Sequence, residues 1–298
     1  MTDTMKKVGS IKKLIGKERV SAILQAMRFI PDRPFLKLEY RFLTGKKLNL
    51  DNPVTYNEKL QYLKLYDRKP VYTVMSDKIA MRDYVARHIG EGHTVPLYGV
   101  WDRVEDVDFD SLPDSFVIKC NHDSKGLAIC RSKKDFDRKE AVKLLRKSFK
   151  RNHFWVAREW PYKNIKPRVL AEEYLEKKTE YKVFCFSGEP RIFYIADYST
   201  GRLRENFYDM EFNFLKELSF GYEKIDGEPS KPSCLDEMIK YCRALSQDSP
   251  QLRVDFYDTG DRLYIGELTF FNDAGFPPVK PDEWAKRLGS WISLPDRL

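Results

Sequence analysis

Four ionisable residues stand where β-strands ordinarily carry apolar ones: Lys119 in "FVIKC", Lys182 in "YKVFC", Asp255 in "RVDFY" and Glu267 in "YIGELTFF". An ion inside a packed strand costs several kcal/mol unless it is paired or bound. Any one of them could lie on the solvated face of a half-exposed sheet, but the four together ask for a common ligand. Asp255 and Glu267 fall in adjacent strands of one expected hairpin, so their carboxylates can converge on one face as a Mg2+ site requires. Lysines from two other strands would then balance phosphate charge.

A second signal is "SFVIKCNHDSKGLAIC", residues 115–130. Two short runs of β-branched and aromatic residues flank a polar turn of Asn121, His122, Asp123, Ser124, Lys125 and Gly126, with Lys119 just ahead of it. Spacing alone describes an ordinary surface hairpin with a glycine in its turn. It also describes a hairpin that closes over the phosphates of a nucleotide, with backbone N–H groups and the lysine as ligands. His122 and His153 are either hydrogen-bonded loop residues or groups that move a proton. Arg253, two residues before Asp255, and Arg204 in "GRLRENFYD" are placed to stabilise a transferring phosphoryl group, although Arg204 reads equally well as a surface residue.

The elements that must carry these groups change character along the chain. From about residue 29 to 70 the sequence reads as helices broken by Pro, Asn and Asp turns, with Thr55 or Asn57 capping a helix through Leu60, Leu63 and Leu65. Residues 71–90 read as helical, with Ser76 or Asp77 at the helix start and Gly90 at its end. From about 95 short strands begin: "VPLYGVW", the 115–130 hairpin, and "PRVLAEEYLE" at 167–176. Further strands lie at 181–198 and 252–271, with Ser187-Gly188 and Thr259-Gly260-Asp261 at hairpin tips. Residues 134–159 read as helical with Phe136, Val142, Leu144, Leu145 and Phe149 inward, and a last helix starts near Asp282. The expected class is α+β with a helical N-terminal region.

Composition narrows the function. A chain of 298 residues with 42% hydrophobic and 14% aromatic residues packs a globular core. No run approaches the ~18 apolar residues of a membrane span, and no secretory signal opens the chain, so a cytoplasmic protein is expected. Cys120, Cys130, Cys185, Cys234 and Cys242 are scattered without a CxxC pair, which reads as reduced thiols rather than a disulfide framework or zinc site. The net charge is +8, but residues 1–28 hold +5 of it and the other 270 residues only +3. A basic groove for nucleic acid is therefore not expected. The N-terminal stretch, with Val8, Ile11, Leu14, Ile15, Ile23, Leu24 and Met27 among lysines, reads as a helix packed on the body or lying on the inner face of an anionic membrane.

The order of Lys119 and its hairpin, "AEEYLE", "EYKVFCFSGEP", "RVDFY" and "GELTFFNDAGF" resembles the ATP-grasp superfamily. The wider pattern, from "NPVTYNEKLQYLKLYDR" and "SDKIAMRDYV" through "REWPYKNIKPR" to "DEWAKRLGSWISL", is similar to its branch linked to teichuronopeptide and capsular polysaccharide biosynthesis, described as amidoligases and at times as glycosyltransferases. The resemblance implies two α+β subdomains clasping ATP: a basic helical region at 1–94, a first subdomain with the lid hairpin at 95–180 and a second with the metal site at 181–298. It implies that Lys119 and Lys182 hold ATP phosphates, that Glu172, Glu173, Tyr174 and Leu175 form the hinge against adenine and ribose, and that Glu180 meets the ribose. His122, Asp123, Ser124, Lys125 and Gly126 would be the phosphate lid, Asp255 and Glu267 the Mg2+ ligands, and Lys119, Lys182 and Arg253 the catalytic cations. Thr269 stands where relatives carry a metal-binding Asn, so Thr269, Asn272 or Asp273 completes the site or one metal is held loosely; Lys125 stands where relatives often carry glycine.

The implied reaction is ADP-forming ligation of a carboxylate to an amine. The implied carboxylate is a uronic acid of a surface polysaccharide or of its small-molecule or lipid-linked precursor. Two other readings remain at this level. A glycosyltransferase would use a DxD motif, but Asp106-Val107-Asp108, Asp108-Phe109-Asp110 and Asp135-Phe136-Asp137 all match, and three matches in one chain carry no information. A noncatalytic nucleotide-binding partner of a polysaccharide assembly complex would bind and turn over nothing.

Overall fold

The computed structural model of the chain describes residues 24–123, 126–227 and 229–297. Strands β1 (Leu97–Trp101), β2 (Phe116–Cys120), β3 (Leu127–Cys130) and β4 (Val169–Glu172) form a four-stranded sheet in the order β1-β4-β2-β3. Strands β5 (Thr179–Phe186), β6 (Glu189–Asp197), β7 (Arg204–Asp209), β8 (Leu252–Asp258) and β9 (Leu263–Thr269) form a five-stranded sheet in the order β7-β6-β5-β8-β9. Neighbouring strands run antiparallel in both.

Among the described residues, α1 (Asp32–Thr44), α2 (Tyr56–Tyr66), α3 (Val71–Ser76) and α4 (Ala80–Ile89) precede the first strand. The α2 start follows the sequence. Thr55 accepts the Glu58 N–H while the Glu58 carboxylate accepts the Thr55 N–H at 3.0 Å, a reciprocal capping box. The 71–90 stretch is two helices, not one. Asp77 is extended and its Oδ1 accepts the Ile79 N–H at 2.9 Å, so an aspartate turn closes α3 and turns Lys78 out of the helical path. Gly90, at φ 97°, ends α4 as its sequence position implies.

The 134–159 stretch also divides, into α5 (Arg138–Phe149), capped by the Asp137 carboxylate on the Glu140 N–H, and α6 (Phe154–Ala157). Strand β7 and helix α7 (Leu235–Ser246) were not anticipated, whereas α8 (Asp282–Ser290) begins where expected.

The larger sheet is covered on both faces. α7 packs Met238, Cys242 and Leu245 on one side, while Tyr56 and Leu60 of α2 meet Phe184, Phe186 and Phe220 on the other. Helix α2 is thus part of the core beneath β5, while α1 packs Phe35, Leu36 and Tyr40 in a cluster of its own. The smaller sheet turns Phe116, Ile118 and Cys120 into a separate core with Phe109, Phe136 and Leu145. Period-two alternation then sends Val117 and Lys119 to the opposite face.

All five cysteines are free thiols. Among the described residues no helix is long and apolar enough to cross a membrane. Residues 1–23, which hold most of the basic stretch, lie outside the described residues; Leu24 and Met27 pack on the α1 cluster of Phe35, Leu36 and Tyr40.

Candidate functional site

Register explains why the ionisable residues of the larger sheet meet. Lys182 on β5 lies opposite Asp255 on β8, Asp255 opposite Glu267 on β9, and Arg253 opposite Thr269. Cross-strand partners share a face, and residues two apart on one strand share it as well. Arg253 and Asp255 therefore join Lys182, Glu267 and Thr269 on one surface. Keeping Glu267 there takes a bulge. The pairing shifts between Asp255/Glu267 and Phe256/Ile265, leaving Gly266 as the extra residue. A Cβ at Gly266 would lie 2.5 Å from the Tyr257 ring, so only glycine allows the bulge to close.

The cluster neutralises itself. Lys182 Nζ donates to Asp255 Oδ2 at 2.7 Å, and Arg253 grips both Asp255 oxygens, Nε on Oδ1 at 2.6 Å and Nη2 on Oδ2 at 2.7 Å. Lys78, delivered by the Asp77 turn, reaches Glu267 Oε1 at 3.1 Å. Burial presses the lysine pKa values down, yet the neighbouring carboxylates prevail and hold Lys78 and Lys182 above their ordinary value. Burial likewise raises Glu267, but Lys78, Arg253 and Lys182 outweigh it and bring that carboxyl down to about 2.

A carboxyl whose folded value lies below its free value stabilises the chain above the free value and loses that contribution as pH falls through the folded one. Acid unfolding of the wild type should therefore steepen between about pH 4.5 and 2 relative to Glu267→Gln, read as urea midpoints across that range. Parallel profiles would mean that Lys78 does not hold this carboxylate.

The smaller sheet supplies the facing wall. Lys119 pairs with the Glu172 carboxylate, both buried. Lys119, Glu172, Tyr174, Leu175 and Tyr257 line a cavity of about 100 Å³. The two sheets meet here through the 93–96 segment: the Ile265 N–H donates to His93 O at 2.7 Å and the Glu173 N–H to Pro96 O at 2.9 Å. Tyr257 is half-buried, and desolvation of its hydroxyl, followed by the field of Glu180, Glu172, Asp255 and Glu267, pushes it well up, so acids of both sheets act on one ring. Lys178 stacks 3.6 Å over that ring and pairs with Glu180 at 2.8 Å; Tyr174 accepts a hydrogen bond from Arg131 at 3.0 Å.

The turn after β2 is anchored at its base. The Asn121 side chain donates to Asp77 Oδ1 and Lys166 O and accepts the Arg168 N–H, while Lys78 N–H donates to Asn121 O. His122 is buried between Asn121 Oδ1 and Arg151 O, and burial lowers its pKa. Asp123 accepts from Ser148 at 2.7 Å and pairs with Arg151 at 3.4 Å. Ser124 and Lys125 lie outside the described residues. Gly126 is required for close approach rather than for a turn conformation: a Cβ there would stand 2.3 Å from Ser148 Oγ and 2.4 Å from its Cβ. Gly126→Ala should cost about 1–3 kcal/mol through this overlap. Urea titration checks it, and a Ser148→Gly background should recover much of the loss.

Other sequence candidates lie elsewhere. Arg204, on the edge strand β7, is engaged by Asp197 at 2.6 Å and Asp226 at 2.7 Å. His153 pairs with Glu159 at 3.1 Å, and burial is outweighed by that carboxylate so that its pKa is raised. The DxD aspartates serve local ends: Asp108 accepts the Asp110 and Ser111 N–H groups, Asp110 pairs with Arg138, and Asp137 caps α5.

Asp255 and Glu267 fit Mg2+ in donor chemistry, two hard oxygen groups from neighbouring strands. Among the described residues no three of His, Cys, Asp and Glu come together around a metal position. Thr269 Oγ1 accepts from Arg253 Nη2 at 3.2 Å and Asn272 Oδ1 accepts from Arg253 Nη1, so both serve the guanidinium. Mg2+ commonly takes one or two carboxylates and fills its remaining positions with water and substrate phosphates. This donor set matches that mode. Sequence reasoning missed Lys78; its only sequence signal was an aspartate-lysine pair breaking a helical stretch.

The TupA-like ATPgrasp family profile matches residues 58–293. No curated protein matches the chain. Among solved structures, D-alanine–D-alanine ligase from Bacillus anthracis complexed with ATP is 18% identical, covering 72% of this chain and 55% of that one at a TM-score of 0.39. N5-carboxyaminoimidazole synthetase from Staphylococcus aureus is 14% identical, covering 74% and 53% at 0.42. D-Alanine–D-alanine ligase from Helicobacter pylori is also 14% identical, covering 80% and 69% at 0.43. The chain thus spans little more than half the length of the first two proteins. With the two-sheet α+β architecture in place and the family match running through most of its length, the chain belongs to the TupA-like ATP-grasp family.

Proposed function

We propose that the chain is an ATP-dependent, ADP-forming carboxylate-amine ligase. The observation that carries this reading is the set of buried cations Lys78, Lys119, Lys182 and Arg253, each held on a carboxylate, with Lys119 lining a cavity edged by both sheets. Cations so placed can stabilise the charge of a transferring phosphoryl group. The bond from the γ-phosphorus to ADP breaks as the acceptor carboxylate oxygen bonds to it. An amine then attacks the acyl carbon, phosphate leaves, and an amide forms.

Glu172, Glu173, Tyr174, Leu175 and Glu180 receive the adenosine, and residues 122–126 serve as the phosphate lid. Mg2+, held by Asp255 and Glu267 together with the nucleotide, supplies further charge neutralisation. In this reading 95–180 and 181–298 are the two clasping subdomains and 1–94 is a helical cap. By the family resemblance the acceptor is a uronic acid of a surface polysaccharide or its precursor, met in the cytoplasm.

Mg·ATP should raise the melting temperature, by the equivalent of ~2.7 kcal/mol at a hundredfold excess over its dissociation constant. Incubation with Mg·ATP, uronic-acid sugars and amino acids should yield ADP and an amide. Hydroxylamine in place of the amine should trap a hydroxamate. AMP as product, a product heavier by a glycosyl unit, or a thermal shift with UDP-sugars alone would overturn the reading.

A further inference from the structure

We propose that Asn57, Gln61 and Lys64 of α2 are positioning residues of the transfer site, holding segment 272–277 so that Asn272 fixes Arg253 against Asp255. The claim rests on the ligase reading for its catalytic consequence, but its geometry stands apart from it. The three residues follow helical spacing along one face of α2, and all are buried, Gln61 and Lys64 completely. Asn57 Nδ2 donates to Gly275 O at 2.9 Å and Pro277 O at 2.8 Å. Gln61 Nε2 donates to Ala274 O at 3.0 Å and Gly275 O at 3.2 Å. Lys64 Nζ donates to Ala274 O at 2.8 Å and to Gln61 Oε1 at 2.9 Å. One polar stripe thereby takes up the carbonyls of Ala274, Gly275 and Pro277, in a loop more than 200 residues away in sequence.

That loop carries backbone strain that its few internal hydrogen bonds do not explain. Asp273 (φ 45°, ψ 44°) and Ala274 (φ 57°, ψ 17°) both lie in the left-handed region without being glycine. Such conformations persist only where the surroundings over-determine them. Contact with α2 is direct, since a Cβ on Gly275 would stand 2.7 Å from Gln61 Nε2 and 3.0 Å from Leu60 Cβ. The loop opens with Asn272, whose Oδ1 accepts from Arg253, and Arg253 in turn grips Asp255 and Thr269. The route from α2 to the phosphoryl-binding arginine is therefore a continuous set of hydrogen bonds and one short stretch of backbone.

Lys64 is the costly member. Its ammonium is buried without a carboxylate in ion-pair contact among the described residues, with two oxygens and the rings of Phe271 and Phe276 at 5.6 and 4.7 Å as neighbours. Burial lowers its pKa to about 8. An apolar residue would suit fold stability better at this place, as Leu60 and Leu63 do on the same helix. A buried donor aimed at a strained carbonyl has a positioning use that an apolar residue lacks.

The test compares wild type, Lys64→Met and Gln61→Met, which keep side-chain length and remove the donors. Hydrogen exchange of the 272–276 amides, the Mg·ATP dissociation constant, and kcat and KM for ADP release are measured on folded protein. Exchange in 272–276 should accelerate about tenfold, the dissociation constant and KM for ATP should stay within about twofold, and kcat should fall at least about tenfold. A merely structural role would lower the melting temperature and leave kcat of the folded fraction intact. Unchanged exchange, or accelerated exchange with normal kcat, overturns the proposal. Should Lys64→Met not fold, Gln61→Met carries the same comparison. If the wild type releases no ADP with any acceptor, the ligase reading is lost, and the exchange measurement alone decides whether α2 holds the loop.

Discussion

Asp255→Asn is expected to lose both turnover and much of the stability of the chain. As a metal ligand alone, Asp255 could be replaced by its amide with little consequence for folding. Its surroundings say otherwise. The carboxylate is buried and takes one hydrogen bond from Lys182 and two from Arg253, so the amide would leave two buried cations facing a neutral group. Removing one partner of a buried ion pair typically costs 3–5 kcal/mol, and ~3 kcal/mol is the expected loss here because Glu180 and Glu267 remain near the two cations. Urea denaturation reads it as a lower midpoint with unchanged slope. Glu267→Gln should cost less, since Glu267 answers chiefly to Lys78 and its side chain is 25% exposed. Equal midpoints for wild type and Asp255→Asn would show that the cluster is not held by this carboxylate.

What was legible in the sequence were the features that act locally or through alternation. Thr55 followed three residues later by Glu58 announces a helix start, and it is one. The β-branched runs around Lys119, Lys182, Asp255 and Glu267 announce strands, and period two fixes that Arg253 and Asp255 share a face. The alignment of Lys182, Asp255 and Glu267 across three strands was less accessible. It depends on a bulge at Gly266 and on β5 lying between β6 and β8, neither of which leaves a local mark. Helix α7 was missed although Leu235, Met238, Cys242 and Leu245 recur at helical spacing, because a long irregular stretch before it disguises its start. Lys78 escaped because its position comes from a break in a helix. The polar stripe of α2 carries no sequence signal of its partners; only the folded chain reveals that distant carbonyls lie against it.

Lys119→Met should slow ADP formation by about 10²–10³-fold, the range found when one donor to a transition-state oxyanion is removed. The structure adds a complication that a single variant cannot resolve. Lys119 is also the partner of Glu172, so its loss leaves a buried carboxylate uncompensated, and Glu172→Gln leaves the lysine in the same position. Either single change should therefore destabilise the fold, and weaker activity alone would be ambiguous. The double variant Lys119→Met/Glu172→Gln removes both charges and should regain most of the lost stability, because a neutral pair escapes the cost of an unpaired buried ion. Turnover should not return, since the phosphate charge that Lys119 would meet is still unanswered. A double-mutant cycle in urea, run beside single-turnover ADP release, separates the two roles. If the double variant recovers turnover along with stability, Lys119 serves only to neutralise Glu172 and the nucleotide draws its positive charge from Lys78, Lys182 and Arg253.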